Sequence, residues 1–315
     1  MTVSRTLRGE PTVDEQLRRR VLDAVDELGY RRNDWARGLR SGSSTGLLGL
    51  VITNLGNPFY SQLATGVEEV AAGAGLQLVL GTSADDPERE RALVSGLAAR
   101  RVEGLIVVPT GIDHGHLQSA HLHDLPVVVA TSPAREAEVD AVTVDDFGGA
   151  REAARRLLLE GHRRVAFLGL SHETWTGHER LRGFLAGHQE FGIDPGQELI
   201  IDLSAEDAAA DAQLWRLMAG SQPPTAVFAA NNRNTVTACR WVQNSGDRLR
   251  IIGFDDIATA PLFSMPLSLV SYSPAEIGRR AAELLMERIR GEVADRPRRV
   301  VVATSLTQYG VPDAR

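Results

Sequence analysis

The 315-residue chain contains one cysteine, Cys239, and no lysine. A lone thiol excludes a disulfide framework and a cysteine-based zinc site, and its place inside a helical stretch suits an inert core residue. The all-arginine basic set carries no functional weight. Long apolar runs are also missing, since none approaches the ~18 residues that a membrane-spanning helix requires. Residues 1–10 hold no apolar segment of the kind that directs secretion. The expectation is a cytoplasmic protein with no membrane partner. There is no phosphate loop of the G-x-x-x-x-G-K type, no nucleophile–base pair and no metal triad at the predicted strand ends. An α/β enzyme such as a sugar kinase or isomerase therefore has little support, and neither catalysis nor a cofactor is expected.

What is present is ordinary for a globular protein: 43% hydrophobic and 24% charged residues, with a length that suggests about two core-forming domains. The net charge of −7, taken alone, argues against nucleic-acid binding. Divided along the chain it says something else. Residues 1–40 carry nine arginines against seven acids, a net of +2, which leaves −9 for the rest. A basic end on an acidic body suits a small DNA-contacting module joined to a domain with another task.

The first 40 residues read as short helices. Thr2 to Leu7 is a stub ended by Gly9 and Pro11. Thr12-Val13-Asp14-Glu15 has the form of a capping box, with Thr12 and Glu15 as the reciprocal pair. The helix that follows places Leu17, Val21, Leu22, Val25 and Leu28 on one face and stops at Gly29. Five apolar positions cannot build an independent core. Asn33 to Arg40 is a further arginine-bearing helical stretch, and residues 41–46, Ser-Gly-Ser-Ser-Thr-Gly, read as a flexible linker.

From Leu47 the pattern becomes strand, helix, strand, helix. Candidate strands are Leu47–Thr53, Gln77–Gly81, Leu105–Pro109, Val127–Ala130 and Val142–Val144, with candidate helices at Phe59–Ala74, Pro87–Arg100 and His114–His123. The theme then repeats. Strands Val165–Leu170, Leu199–Asp202, Ala226–Ala230 and Arg250–Phe254 alternate with helices near Gly148–Glu160, His178–Phe191, Asp207–Ala219 and Arg233–Asn244. The strands are continuous apolar runs, as expected of parallel strands covered on both faces. The fold class is α/β: two doubly wound parallel-sheet lobes preceded by a small all-α module. The helix near Pro274–Arg290 and the strand near Val300–Ala303 have no assigned lobe on pattern alone.

Ligands of such folds sit beyond the carboxyl ends of parallel strands, and two facing lobes make a cleft. The residues just after each strand are Asn54 to Tyr60, Asp145 to Phe147, His172 to Arg180, Asn231 to Arg233 and Asp255–Asp256. They offer carboxylates, amides, an arginine and aromatics including Trp175, a mixture that suits a polyhydroxylated small molecule.

Several of these segments carry a family resemblance. Thr2-Val3-Ser4-Arg5, Val13 to Tyr30 ending Leu28-Gly29-Tyr30, Asn33 and Ala36-Arg37-Gly38-Leu39-Arg40 resemble the DNA-binding headpiece of LacI/GalR-type transcriptional repressors. Asn57-Pro58-Phe59-Tyr60, Asp86-Pro87-Glu88, Val102 to Ile106, Gly161 to Ala166, Arg180 to Phe184, Pro224 to Phe228 and Gly253 to Asp256 look like that family's sensor landmarks. The match runs in order over nearly the whole chain. It implies a partial helix-turn-helix headpiece over residues 1–32, a hinge helix and linker over 33–46, and a periplasmic-binding-protein-like sensor over 47–315. Within the sensor, the first lobe spans about 47–145 plus part of the C-terminal segment, and the second about 146–270.

The resemblance implies a homodimer on a pseudo-palindromic operator, controlled by a small-molecule effector, a sugar, bound between the lobes. Arg5 then looks like a base-edge reader, because a guanidinium can bond bidentately to guanine. Leu39 looks like a wedge between base steps in the minor groove. Thr2, Ser4, Asn33 and Ala36 take the other DNA positions. Phe59, Tyr60, Asp145, Trp175, Arg180, Asn231 and Asp255 take the effector positions, with stacking or plain packing left open for Trp175. By the same analogy the last helix crosses back to the first lobe.

Three departures stand out. The family's first headpiece helix should precede Thr2, and a helix-turn-helix needs it to position the second. Either the start is placed too far downstream, or this is a cytoplasmic sugar-binding sensor with impaired DNA binding. Gly38 stands where a better helix former is usual, at a cost of roughly 0.5–1 kcal/mol. Asn232 replaces the usual Asp, and Tyr309 the usual Arg.

Three bland alternatives belong beside these readings. His114, His116, His121 and His123 suit a solvated polar helix better than a metal site. Asp255–Asp256 suits hydroxyls better than magnesium. Arg180 could pair with Glu179 or Asp202 on the surface instead of facing a ligand.

Overall fold

The computed structural model describes residues 2–6, 13–28, 45–111, 113–118, 122, 124–134, 137–169, 174–201, 207–246, 248–292 and 296–310. Two compact units result, Met1–Thr45 and Gly46–Arg315. The first contains α1 (Thr2–Thr6) packed on α2 (Glu15–Glu27). Asp14 caps α2: its Oδ1 accepts the N–H groups of Gln16 at 3.0 Å and Leu17 at 3.2 Å. This corrects the expected box of Thr12 and Glu15. A carboxylate nearer the positive end of the helix caps it with full charge, so Glu15 becomes the first helical residue. Thr12 lies outside the described residues, as do Asn33, Ala36 and Leu39.

Along α2, Val21 and Val25 are half-buried, whereas Leu17, Leu22 and Leu28 are exposed, Leu28 by 80%. The apolar stripe read from the sequence is thus mostly uncovered within its own unit. Arg5 is exposed in the last turn of α1, the same short helix that carries Thr2 and Ser4.

The second unit begins with β1 (Leu47–Ile52), α3 (Pro58–Gly73), β2 (Gln77–Thr82), α4 (Pro87–Ala99), β3 (Gly104–Val107), β4 (Val127–Ala130) and β5 (Asp140–Val144). It continues with α5 (Asp146–Leu159), β6 (Val165–Leu168), α6 (Trp175–Gln189), β7 (Ile200–Ile201), α7 (Asp207–Met218), β8 (Ala226–Ala229), α8 (Asn232–Ser245), β9 (Arg250–Phe254) and β10 (Leu267–Ser271). Helix α9 (Pro274–Ile289) and strands β11 (Arg299–Val302) and β12 (Ser305–Tyr309) follow. Among the described residues there are two six-stranded sheets, ordered β11-β5-β4-β3-β1-β2 and β12-β10-β9-β8-β6-β7. All pairings are parallel except β10 with β12.

The continuous apolar strands are covered on both faces, as parallel sheets require. In β1, Leu48, Leu50 and Ile52 join the cluster under α3 and α9, while Leu47 and Val51 face the cluster formed with Val94 and Leu97 of α4. Strands β10 and β12 escaped the sequence reading. Their short apolar runs are interrupted by Ser268 and by Thr307 and Gln308, which blurs the signal.

The tail crosses back as the resemblance implied. Helix α9 lies on α3, and β11 joins the first sheet beside β5, whereas β12 returns to the second sheet. The two helices meet backbone to backbone: a Cβ on Gly66 would collide with the Ala275 carbonyl, and one on Gly278 with the Leu63 carbonyl.

Among the described residues of the expected helix His114–His123 there is no α-helix: Gly115–Leu117 makes a 3₁₀ turn and Leu122 is also 3₁₀, while residues 119–121 and His123 lie outside the described residues. Nor are His114 and His116 solvated. His114 is buried, with Nε2 3.3 Å from the Gly111 carbonyl, and His116 Nε2 lies 2.9 Å from Oε1 of buried Glu90. The latter is a close contact outside hydrogen-bond geometry. The Thr110 N–H satisfies the other Glu90 oxygen.

Asp140 at the start of β5 fastens the crossing. Its fully buried carboxylate accepts from Arg288 at 2.7 and 3.0 Å, from Arg298 Nη2 at 2.8 Å and from the Arg298 backbone N–H at 2.7 Å. Burial pushes the carboxyl up, but the hydrogen bonds from Arg288 and Arg298 outweigh it and hold it below its ordinary value. Asp140→Ala strands two guanidinium groups. The expected loss is about 3 kcal/mol, the lower end for a broken buried pair because both arginines keep some solvent. Denaturant unfolding checks it. Because the native carboxyl is depressed, this stabilisation is present above the unfolded value near ~4 and is lost as pH falls through the native one. The variant's stability should therefore depend less on pH in that acid range.

Candidate functional site

The carboxyl ends of the strands from both lobes converge where the chain passes between them. Helix α3 starts at Asn57, whose Oδ1 caps the Phe59 N–H at 3.0 Å, with Pro58 preset at the first position. Helix α8 starts at Asn231, whose Oδ1 caps the Asn234 N–H at 2.7 Å. These two helix starts bring the lobes into contact. Asn232 Nδ2 donates to Asn57 Oδ1 at 2.8 Å, and Asn57 Nδ2 donates back to Asn232 Oδ1 at 3.4 Å.

Beneath this bridge lies Arg180, only 3% exposed. Its Nε donates to Asp146 Oδ1 at 2.8 Å, Nη1 to the Ala230 carbonyl at 2.6 Å, and Nη2 lies 3.1 Å from Asp255 Oδ1. The guanidinium plane stands 3.7 Å over the Phe254 ring. Asp255 adopts a left-handed backbone, φ 69°, just past β9. It also accepts from Tyr272 Oη at 2.7 Å and, at Oδ2, from the Asn232 N–H at 3.3 Å. Asp146 is 2% exposed and its Oδ2 has no partner.

Burial drives both ends of this cluster. Desolvation works against Arg180, yet Asp255 and Asp146 overcome it and keep the guanidinium charged. Desolvation raises Asp146 to about 6, against the pull of Arg180 and with help from Asp255 and Glu179. Tyr272 is pushed up by burial and by Asp255. Aromatic rings from both lobes meet here: Phe59 packs edge-on against Tyr60 at 5.0 Å and against Tyr272 at 6.3 Å, and Tyr272 meets Phe254 at 6.0 Å. Burial also raises Tyr60, against a hydrogen bond to Thr53. Nothing here resembles a nucleophile with its base. Among the described residues no group of three His, Cys, Asp or Glu could hold a metal. The cluster offers fixed charges, hydrogen-bond donors and acceptors, and ring faces.

A model of bacterial regulatory proteins of the lacI family matches residues 1–33, and one of periplasmic binding protein-like domains matches residues 154–308. The HTH-type transcriptional repressor PurR of Photobacterium profundum is 31% identical over 300 residues, covering 94% of this chain and 90% of its own. The chain belongs to the lacI family of bacterial regulatory proteins. A solved structure described as the transcriptional regulator CelR–cellobiose complex has 29% identity and a TM-score of 0.76, covering 97% of this chain and 94% of its own. The lac repressor dimer bound to operator and anti-inducer has 22% identity and a TM-score of 0.80 over 97% of this chain and 93% of its own, a likeness of fold alone.

Within this LacI-family protein, Phe59, Tyr60, Arg180 and Asp255 come together. Asp145 and Asn231 stand beside them as helix caps, with Asp145 Oδ1 accepting from the Gly148 N–H at 2.9 Å. Trp175 is half-buried at the first position of α6, turned about 140° around the helix from Arg180. The surface reading of Arg180 fails because the side chain is buried on Asp146 and the Ala230 carbonyl; Glu179 bonds Arg182 at 2.7 Å, and Asp202 lies outside the described residues. Asp256 takes the Tyr309 hydroxyl at 3.2 Å. Cys239 is buried in the second-lobe core, which pushes its thiol up to about 12.

Tyr272 escaped the sequence reading, and Asp146 and Asn57, inside the strand-end segments named above, were not singled out there. Asp146 is the carboxylate that reaches Arg180, although its neighbour Asp145 was chosen. As the first helical residue it points inward while the capping residue turns to the backbone. Tyr272 follows β10, the strand that was not read. Asn57 lay in a recognised motif, but its partner is 175 residues away.

Asn57→Ala removes the side-chain bridge between the lobes and the cap of α3 together. The expected cost is about 1 kcal/mol for the cap and a similar amount for the bond. Asn57→Asp keeps the cap but replaces the amide donor by a carboxylate. Spin-label distances between the lobes should lengthen or broaden in both variants. Unchanged distances in both would show that the bridge does not hold the lobes.

Proposed function

We propose that this LacI-family regulator acts as a homodimeric repressor in the cytoplasm. It reads a pseudo-palindromic operator and is controlled by a sugar bound between its two sensor lobes. It performs no catalysis. The observation that carries the effector reading is the Arg180–Asp255–Asp146 cluster, placed under the inter-lobe bridge and beside Phe59 and Tyr272. Hydroxyl groups pair with such fixed carboxylates and amides, and a sugar's apolar face packs on aromatic rings. The similarity to CelR, solved with cellobiose, makes cellobiose the first sugar to try.

The DNA side is assigned to residues 1–32 with the hinge segment after them. Arg5 is exposed on α1, as a base-edge reader must be, and Thr2 and Ser4 share that short helix. Asn33, Ala36 and Leu39 complete the proposed contacts, with Leu39 as the minor-groove wedge. Effector closure of the lobes alters the spacing of the two hinges in the dimer, and so the fit to both operator half-sites.

Two measurements test this. Operator titrations with and without cellobiose, repeated with other neutral sugars, should show a coupling factor. The same factor must appear when sugar affinity is measured with and without operator. Affinities that never influence one another overturn the reading. Arg5→Ala should weaken operator binding by ~1–3 kcal/mol and relax preference at one base pair. An equal loss on scrambled DNA would make Arg5 a phosphate contact instead.

A further inference from the structure

We propose that Asp85 and Arg233 form an electrostatic clasp across the mouth of the cleft, one charge on each lobe. It draws the lobes together and makes their closing sensitive to salt. The clasp goes beyond the sugar-effector reading and does not rest on it.

The first-lobe charge is carried on a turn held at both ends. After β2 the chain stays beside β1, with the Ser83 N–H donating to the Ile52 carbonyl and the Ala84 N–H to the Thr53 carbonyl, both at 2.8 Å. It then turns sharply, with Ala84 at φ 54° and Asp85 at φ 59°. On the far side Asp86 Oδ1 caps α4, accepting from the Glu88 N–H at 2.8 Å and the Arg89 N–H at 3.3 Å. Two successive left-handed residues without a glycine make an unfavourable backbone, and such strain marks a segment that does more than connect. Its crest is Asp85, which is exposed and has no hydrogen bond or ion pair through its side chain among the described residues.

The second-lobe charge stands at a helix start. Arg233 is the second residue of α8, directly after Asn232, whose side chain meets Asn57 of the first lobe. The first turn of α8 holds no acid, and a cation there opposes the positive end of the helix dipole, so the helix gains nothing from it. Nor do the carboxylates past β9 serve it. Asp255 is taken by Arg180, Tyr272 and the Asn232 N–H, and Asp256 by Tyr309. Arg233 is exposed and, among the described residues, likewise unpaired.

Tyr60 lies between the two charges. It belongs to the first turn of α3, three residues past Asn57, with its hydroxyl bonded to Thr53. Burial raises that hydroxyl against the Thr53 hydrogen bond, and then Asp85 raises it further while Arg233 lowers it. Opposite charges from the two lobes thus act on one group, beside the Asn57–Asn232 bridge. No ion pair yet joins them, so their contact is still to be gained as the lobes close. The attraction reaches across ~10 Å at ~0.1 M salt and is screened at higher salt.

The test reads the lobe separation in the full chain without sugar or DNA. Nitroxides are placed on Glu68→Cys of α3 and Gln243→Cys of α8, both exposed positions. Cys239 is buried with its thiol pushed up to about 12, and stays unlabelled. Dilution into unlabelled chain keeps distances between chains out of the signal. In the parent, the closed-to-open ratio should fall roughly two- to fivefold from low salt to ~0.5 M. Asp85→Asn, whose side chain still tolerates the left-handed backbone, and Arg233→Gln should each lower the low-salt ratio by about the same factor and abolish the salt dependence. The double variant should match the singles, because only one interaction is lost. Arg233→Glu sets like charges on the two lips and should open the lobes further than Arg233→Gln. Adding Asp85→Asn to it should return the ratio to that of Arg233→Gln.

Circular dichroism checks the fold of each variant, and the two Arg233 variants carry the test alone if the turn rejects Asp85→Asn. A parent whose lobe separation ignores salt overturns the proposal. So do single effects that add in the double variant, or an Arg233→Glu chain no more open than Arg233→Gln. Since neither sugar nor operator enters the experiment, its outcome is independent of the repressor reading.

Discussion

The guanidinium of Arg180 holds together the parts that make the sensor. It comes from α6, draws in Asp146 from the first turn of α5, takes the carbonyl at the end of β8 and reaches Asp255 after β9. Four separate chain segments therefore meet at one buried cation. A lone charge in that position would be prohibitively unfavourable, and it is tolerated because carboxylates and a carbonyl satisfy it and an aromatic ring backs it. Asp255 extends the network to Tyr272 and to the N–H of Asn232, at the residue whose side chain meets Asn57 of the other lobe. The inter-lobe contact and the buried cluster are one connected hydrogen-bonded system.

Around that hub the chain makes crossings that tie the lobes to one another. The glycine contact between α3 and α9 brings two helices within backbone distance, and Asp140 pins the returning segment through Arg288 and Arg298. One apolar cluster contains residues of both lobes, from Leu48 and Leu63 to Phe184 and Phe228. Such a coupled pair of lobes suits a protein whose output depends on a ligand's presence.

Much of this architecture was legible as pattern. The continuous apolar strands and amphipathic helices from Leu47 to Phe254 stand close to where they were read, because parallel βα repeats impose a local signal on each segment. The exceptions have local reasons too. The segment His114–His123 carries a helical pattern, but its described residues make only 3₁₀ geometry, at Gly115–Leu117 and Leu122, with His116 beside buried Glu90. Strand β10 hides because Ser268 is buried in the sheet and accepts from Arg250 at 2.8 Å, so a polar residue occupies a core position. The headpiece cap moved from Thr12 to Asp14 because several polar residues in a row compete for one helix start.

The sequence by itself determined the two-lobed α/β class and the family, and it singled out Arg180, Asp255, Phe59 and Tyr60, which the fold brings together. These rest on periodicity and on ordered motifs, both of which are local in the chain. Only the tertiary structure decided that Asp146 rather than Asp145 meets Arg180, that Asn57 meets Asn232 across 175 residues, and that one carboxylate oxygen is left bare beside the guanidinium. Adjacent residues on a helix start point in different directions, and partners from different lobes share no spacing. Which of them touch is settled by how the elements pack.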